Sequence, residues 1–264
     1  MKIESDASSA GGGGHTAAAA AARYDRIGVG YRQVRRPDPR LAALIASGLG
    51  DARTVVNVGA GAGSYEPEDR EVTAVEPSQV MLDQHPGTRK VKASAEQLPF
   101  EDGAFDAAMA VMTVHHWPDP ARGLAELRRV SRRQAVFTWD PSHSTELWLF
   151  EEYLPEIGKA DRSAFTPLSV VTGALDAHTV LPFPVPHDFT DGFRAAFWRR
   201  PESYLDPAVR AASSTLARRP ASAVEPGIAR LRADLRSGAW QRRHADLLER
   251  ESVDYGYRLV LAGS

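Results

Sequence analysis

TVVNVGAGAGSYE, residues 54–66, is the stretch on which the fold turns. Its first five residues form a short apolar run, and glycines follow at Gly59, Gly61 and Gly63. An apolar run bounded by glycine fits a strand buried inside a parallel sheet. Glycines at that point let the backbone approach a ligand closely and accept positive φ. The dinucleotide fingerprint requires G-x-G-x-x-G. Counting from Gly59, the sixth position is Ser64, which argues against a nicotinamide or flavin site. Next comes EVTAVEP (71–77), a second strand that ends in Glu76, 15 residues beyond Gly61. A carboxylate at that strand end accepts hydrogen bonds from ribose hydroxyls and disfavours a 2′-phosphate. Glu76 also suits the start of a helix near Ser78. With the glycine loop beside it, an adenosine site is the better reading.

The pattern continues outward on both sides. RKVKASAEQLPF (89–100) holds a short strand and then an acidic loop, and Asp102-Gly103 marks a turn. FDAAMAVMTV (105–114) is a long apolar strand. Ala121 to Val130 reads as an amphipathic helix with Leu124, Leu127 and Val130 inward, and AVFTWD (135–140) as a further strand. Upstream, Asp38 and Pro39 start a helix that carries Leu41, Leu44, Ile45 and Leu49, and Gly48 and Gly50 mark its end. Strands alternating with helices predict an α/β, Rossmann-like doubly wound, mostly parallel sheet.

After Asp140 the rhythm breaks. Trp148, Leu149, Phe150, Tyr153 and Leu154 suggest a helix, and the prolines of TVLPFPVP (179–186) suggest an edge strand. Residues 192–250 read as helical and arginine-rich, with 13 arginines from Arg194 to Arg258 against 8 acidic residues. YGYRLVLA (255–262) closes the chain as an antiparallel strand. The expected organisation is a flexible tail (1–22), an N-terminal lid and helix (23–50), a cofactor-binding core (51–141), remaining core elements with a helical substrate cap (142–250), and a closing strand (251–264).

Composition narrows the partners. The 264 residues carry a formal charge of -2, which excludes a generally basic nucleic-acid binder. The absence of cysteine excludes disulfides, zinc ribbons, iron–sulfur clusters and thiol nucleophiles, and no metal site is expected. No apolar run reaches the length of a membrane span, and no secretory leader is read at the N-terminus. The expectation is a cytoplasmic monomer or homodimer acting on a small molecule, with no nucleic acid and no membrane.

VGAGAGSYE (58–66), VEPS (75–78), AEQLPF (95–100), FD (105–106) and HHWPDPARGLAELRRV (115–130) occur in that order. Together they resemble a class I S-adenosylmethionine-dependent methyltransferase of the small-molecule branch called type 11. The resemblance spans residues 51–141 and thins out afterwards. It implies S-adenosyl-L-methionine as cofactor. Gly59, Ala60 and Gly61 would line the methionine moiety and sugar, and Glu76 would bind the ribose. Pro77, Ser78 and Met81 would flank the adenine, Ala95 and Glu96 its edge, and Val111 and Met112 the sulfonium. Two positions depart from the family pattern. Asn57 replaces an acidic residue near the glycine loop, and Ser94 replaces an Asp before Ala95.

The sulfonium methyl is already activated, so positioning supplies much of the catalysis. A hydroxyl acceptor gains further from a general base. His115, His116 and Asp140 stand at predicted strand ends, where open α/β sheets bind ligands. A histidine there is the candidate base, with Asp140 to orient it. Tyr24, Tyr31 and Arg32 belong to the predicted lid, and Trp117 to the substrate side. The arginine-rich strap and cap admit an anionic acceptor. O-methylation of a natural-product hydroxyl in secondary metabolism leads. Alternatives are C-methylation of an alkene in an isoprenoid diphosphate, and a non-catalytic protein that keeps the cofactor.

Overall fold

β1 (Thr54–Val58) lies in the middle of the structure, its last four residues buried, as a strand with neighbours on both edges must be. The computed structural model describes residues 36–264. The predicted tail and most of the lid, including Tyr24, Tyr31 and Arg32, lie outside the described residues.

The strands that follow are β2 (Glu71–Val75), β3 (Lys90–Val91), β4 (Phe105–Val111), β5 (Ser131–Trp139), β6 (Thr179–Pro182), β7 (Val185–Pro186), β8 (Ser252–Val253) and β9 (Tyr257–Gly263). The main sheet runs β3-β2-β1-β4-β5-β9-β6. β1 pairs in parallel with β2 and β4, and β2 with β3 and β4 with β5 do the same. β9 runs antiparallel between β5 and β6. This is the expected mostly parallel sheet with an antiparallel C-terminal strand, and β6 is its edge, as its prolines required. Strand order reverses at β1, between β2 and β4. There the carboxyl ends open the crevice in which such sheets bind ligands.

Both faces are covered. α1 (Pro39–Leu49) follows its sequence signals: Asp38 caps it by accepting from the Arg40 N–H at 3.0 Å, and Gly50 ends it at φ +60°. Its buried Leu41, Ile45 and Leu49 pack with Val55, Met109 and Phe137. α3 (Pro120–Val130) and α5 (Leu168–Leu175) cover the other face, where Leu124, Leu127 and Val171 meet Val56, Ala108 and Val260. Neighbouring strand residues such as Val55 and Val56 therefore serve opposite cores, as strand alternation dictates. α2 (Gln79–Gln84) follows β2, with Ser78 as its cap, and α4 (Pro155–Ala164) lies between β5 and α5.

The cap comes from two segments, one after β5 and one between β6 and β9. Its buried Trp148, Phe150, Phe189, Trp198 and Trp240 continue the α1-side core without a break. The helix expected near Trp148 is a single π-helical turn (Leu149–Tyr153). The helical stretch read over 192–250 is in fact broken. A 3-10 turn spans Pro201–Leu205, then come α6 (Pro207–Ala212), α7 (Ser214–Ala217), α8 (Ala221–Ser237), α9 (Ala239–Arg243) and α10 (Ala245–Leu248). Pro201 and Pro207 open the first turns of two restarts and Pro220 precedes a third, positions that proline suits, although α8 also holds Pro226 in its interior. Among the described residues no helix is long and apolar enough to cross a membrane.

Candidate functional site

The carboxyl end of β1 leads into the glycine loop. Gly59 and Ala60 both donate their N–H to the Val75 carbonyl, at 2.8 and 3.0 Å, which ties the loop to the end of β2. Gly59, Gly61 and Gly63 all take positive φ. At the tip of β2, Glu76 is buried. Its Oε2 accepts from the Gly61 N–H and its Oε1 from the Ser78 N–H, each at 3.0 Å. Glu76 therefore braces the loop and also starts α2, the second of which its place before Ser78 suggested.

A cleft of about 940 Å³ opens here. Gly59, Ala60, Gly61, Glu76, Pro77 and Met81 line one side of it. Ala95, Glu96, Val111, Met112 and Trp117 line the other, with Ser94 and Asn57. Of the expected cofactor residues only Ser78 is absent from the lining. It is buried as the cap of α2, its Oγ accepting from the Met81 N–H. Trp117, expected on the substrate side, borders this cleft and packs against Gly123 instead. The acidic loop is held from α3. Glu126 accepts from the Leu98 N–H at 2.8 Å, and Arg129 donates to the carbonyls of Leu98 and Phe100. The hydrogen bonds from Arg129 hold the Glu126 carboxyl below the usual range, despite its partial burial.

The missing charge at Asn57 is supplied from elsewhere. Its Nδ2 donates to Glu66 Oε1 at 2.9 Å, and His85 Nε2 lies 2.9 Å from the same oxygen. His85 Nδ1 accepts from the Gly87 N–H, so the ring proton sits on Nε2 and points to Glu66. Tyr65, in a left-handed conformation at φ +64°, ends the loop. Its hydroxyl donates to Asp191 at 2.8 Å and accepts from the Asp38 N–H at 3.3 Å.

A second, smaller cavity of about 450 Å³ adjoins the first and shares Met112 and His116 with it. Met112 has φ +51°, an uncommon conformation for a side-chain-bearing residue, and strained backbone of this kind concentrates at functional sites. His115 lines only the second cavity and stacks on Phe165, with ring centres 3.8 Å apart. Asp140 lines neither. Its Oδ1 accepts from the Ser142 N–H and hydroxyl at 2.9 and 2.6 Å. The expected His–Asp pairing is therefore corrected: β5 ends at Trp139, and the chain turns away there. Trp139, Phe165, Phe193, Arg194, Ser213 to Thr215 and Tyr257 complete the second cavity. Sequence reasoning missed most of these, because they come from segments that only the cap topology brings together. Burial pushes the Tyr257 phenol up, so it stays protonated at neutral pH.

A methyl group at Gly59 would run into the Thr113 side chain, and φ +73° strains any side chain there. At Gly61, φ +54°, the nearest atom is Met81 Cε at 3.4 Å. Gly59→Ala is expected to destabilise the fold by about 1–3 kcal/mol and to distort the loop. Gly61→Ala is expected to cost less. Chemical denaturation of both variants checks this, and equal midpoints would refute the clash.

The fold and this cleft have relatives. Residues 56–138 match the methyltransferase domain family of type 11. A candidate methyltransferase from an antibiotic biosynthesis pathway of Anabaena variabilis has a solved structure that is 31% identical. The superposition covers 88% of this chain and 100% of that one, with a TM-score of 0.81. An uncharacterized methyltransferase of Mycobacterium tuberculosis is 37% identical over 89 residues, 31% of this chain and 36% of its own length. The rice chloroplastic 2-methyl-6-phytyl-1,4-hydroquinone methyltransferase 2 is 32% identical over 133 residues, 40% of this chain and 38% of its own. The chain thus spans little more than a third of the curated relatives it matches. A strand-end carboxylate beside a glycine loop suits an adenosyl group, since a carboxylate offers about four acceptor sites. On its fold, its cleft and its full-length match, the chain belongs to the class I S-adenosylmethionine-dependent methyltransferases, in the type 11 branch.

Proposed function

We propose that this protein transfers a methyl group from S-adenosylmethionine to a hydroxyl of a small molecule of secondary metabolism. The observation that carries the proposal is the junction of the two cavities at Met112 and His116. The first cavity takes the cofactor, which supplies an activated sulfonium methyl. Glu76 holds the ribose, and Asn57 and the glycine loop hold the methionine end. The second cavity takes the acceptor. His116 borders both, so its imidazole is the candidate for receiving the hydroxyl proton as the new O–CH3 bond forms. Trp139, Phe165 and Tyr257 exclude water from the acceptor. The antibiotic pathway of the Anabaena relative supports the metabolic setting, and the hydroquinone acceptor in the name of the rice relative supports a ring-bearing substrate.

His116→Asn is expected to lower turnover 10²–10⁴-fold, the usual range for a general base, while cofactor affinity stays. Methyl transfer from labelled cofactor measures the first and calorimetry the second. Turnover within about threefold of wild type, well short of that range, would remove His116 as base. Tight cofactor binding with no methyl transfer to any acceptor would favour the non-catalytic alternative.

A further inference from the structure

The second cavity has an aromatic wall and a polar end. From His116 the wall runs through His115, Phe165 and Trp139, with successive ring centres 3.8, 3.8 and 4.8 Å apart. It ends at Arg194, whose guanidinium lies 4.5 Å from the Trp139 ring centre and 4.2 Å from that of Phe150. Across from it, Phe193 packs on Tyr257 at 4.5 Å. The rings are tilted, stacked and edge-on in turn, and an aromatic occupant gains from such contacts beyond simple burial.

The charge at the polar end is shared. Arg194 is buried, with Nη2 at 2.7 Å from Glu146 and Nε donating to Asp161 at 3.2 Å, while Arg162 also meets Glu146 and Arg218 also meets Asp161. Arg194 already faces two carboxylates, which makes it a weaker anchor for a diphosphate than an unpaired arginine. Its Nη2, though 2.7 Å from Glu146, makes no hydrogen bond of ordinary geometry among the described residues and remains a donor. The buried Tyr257 hydroxyl also makes none of ordinary geometry there, with the Ala195 backbone as its nearest approach to one. Buried polar atoms without partners are rare in native proteins and call for a ligand or water. The second cavity is the smaller of the two.

We propose that the second cavity binds an uncharged aromatic acceptor of one or two rings, which presents a hydroxyl to His116 and a second oxygen to Tyr257 and Arg194. This rests on the reading of the two cavities as cofactor and acceptor sites. It favours a phenol with a carbonyl or second hydroxyl on its far edge over an isoprenoid diphosphate.

The test uses the full chain saturated with S-adenosylhomocysteine, whose binding is confirmed first by calorimetry. Failure at that step would overturn the cofactor reading itself. Three probes are then compared by ligand-observed NMR titration: 4-hydroxyacetophenone, 4-ethylphenol and geranyl diphosphate. The expected order is 4-hydroxyacetophenone over 4-ethylphenol by about 3–10-fold, the worth of one hydrogen bond, with geranyl diphosphate binding more weakly than both. Tyr257→Phe, which keeps the ring, is expected to remove most of that preference. Arg194→Met is a second variant, and Tyr257→Phe keeps the test valid if it fails to fold. Equal affinity for the two phenols, an unchanged preference in Tyr257→Phe, binding of neither phenol, or tighter binding of geranyl diphosphate would each overturn the assignment.

Discussion

Glu76→Ala is expected to lose about 1.5–3 kcal/mol of S-adenosylmethionine affinity, roughly 10–150-fold, the range for hydrogen bonds to a charged group. The carboxylate sits at the end of β2, buried, and reaches back to the Gly61 N–H and forward to the Ser78 N–H. It therefore fixes the distance between the glycine loop and the start of α2 before any ligand arrives. Removing it takes away the carboxylate proposed to hold the ribose and also leaves two backbone donors seeking water. Glu76→Gln separates these effects. Its amide keeps one acceptor oxygen but loses the charge, so its affinity should fall between wild type and Ala. Calorimetry gives the affinities, and denaturant midpoints on the same samples give the cost to the fold. A folded Ala variant that binds within twofold of wild type would take Glu76 out of the site.

The largest stability effect is expected at Asp161. Its side chain is fully buried on α4 and meets Arg194 at 3.2 Å and Arg218 at 3.4 Å, and it accepts from the Thr215 hydroxyl at 2.8 Å. Asp161→Asn leaves two guanidinium groups facing a neutral amide, with Glu146 as the remaining carboxylate on Arg194. Breaking a buried ion pair by removing one partner costs about 3–5 kcal/mol. For a chain of this size the melting point should fall on the order of 10 °C. The exposed Arg89–Glu71 pair is the comparison. Glu71→Gln should leave the melting point nearly unchanged, because water already screens that pair. Equal melting points for the two variants would mean that the Asp161 cluster is relaxed by solvent.

How far the chain could be read from its residues depended on where the signal lay. β1, β2, β4 and β5 were legible because a strand buried on both faces has few options besides a short apolar run. α1 announced itself through Asp38 and Pro39, and β6 showed its edge position through its prolines. The first cavity was equally legible, since Gly59 to Gly61, Glu76, Ala95 and Met112 all follow strand ends in the core. The second cavity was not. Met112, Phe165, Arg194, Ser213 and Tyr257 are spread along almost 150 positions, roughly the length of a whole domain. Only the crossing of two cap segments over the sheet makes them neighbours. Asp140 was misread for a related reason. A strand predicted one residue too long puts the wrong side chain at its tip, and here that place belongs to Trp139.

Tyr65 carries a consequence for recombination among relatives. Its hydroxyl joins the glycine loop to Asp191 of the cap and to the backbone of Asp38 at the start of α1. These two partners lie 126 and 27 residues from Tyr65 along the chain. A chimera that grafts a foreign cap onto this core at the end of β5 would cut the tie of Tyr65 to the cap unless the new cap brings its own acceptor at the place of Asp191. The loop that meets the cofactor would then lose its brace, although no residue of the core had been changed. The cap of this scaffold is therefore not a cassette. Exchanging it means transplanting the cap together with the tyrosine that it holds.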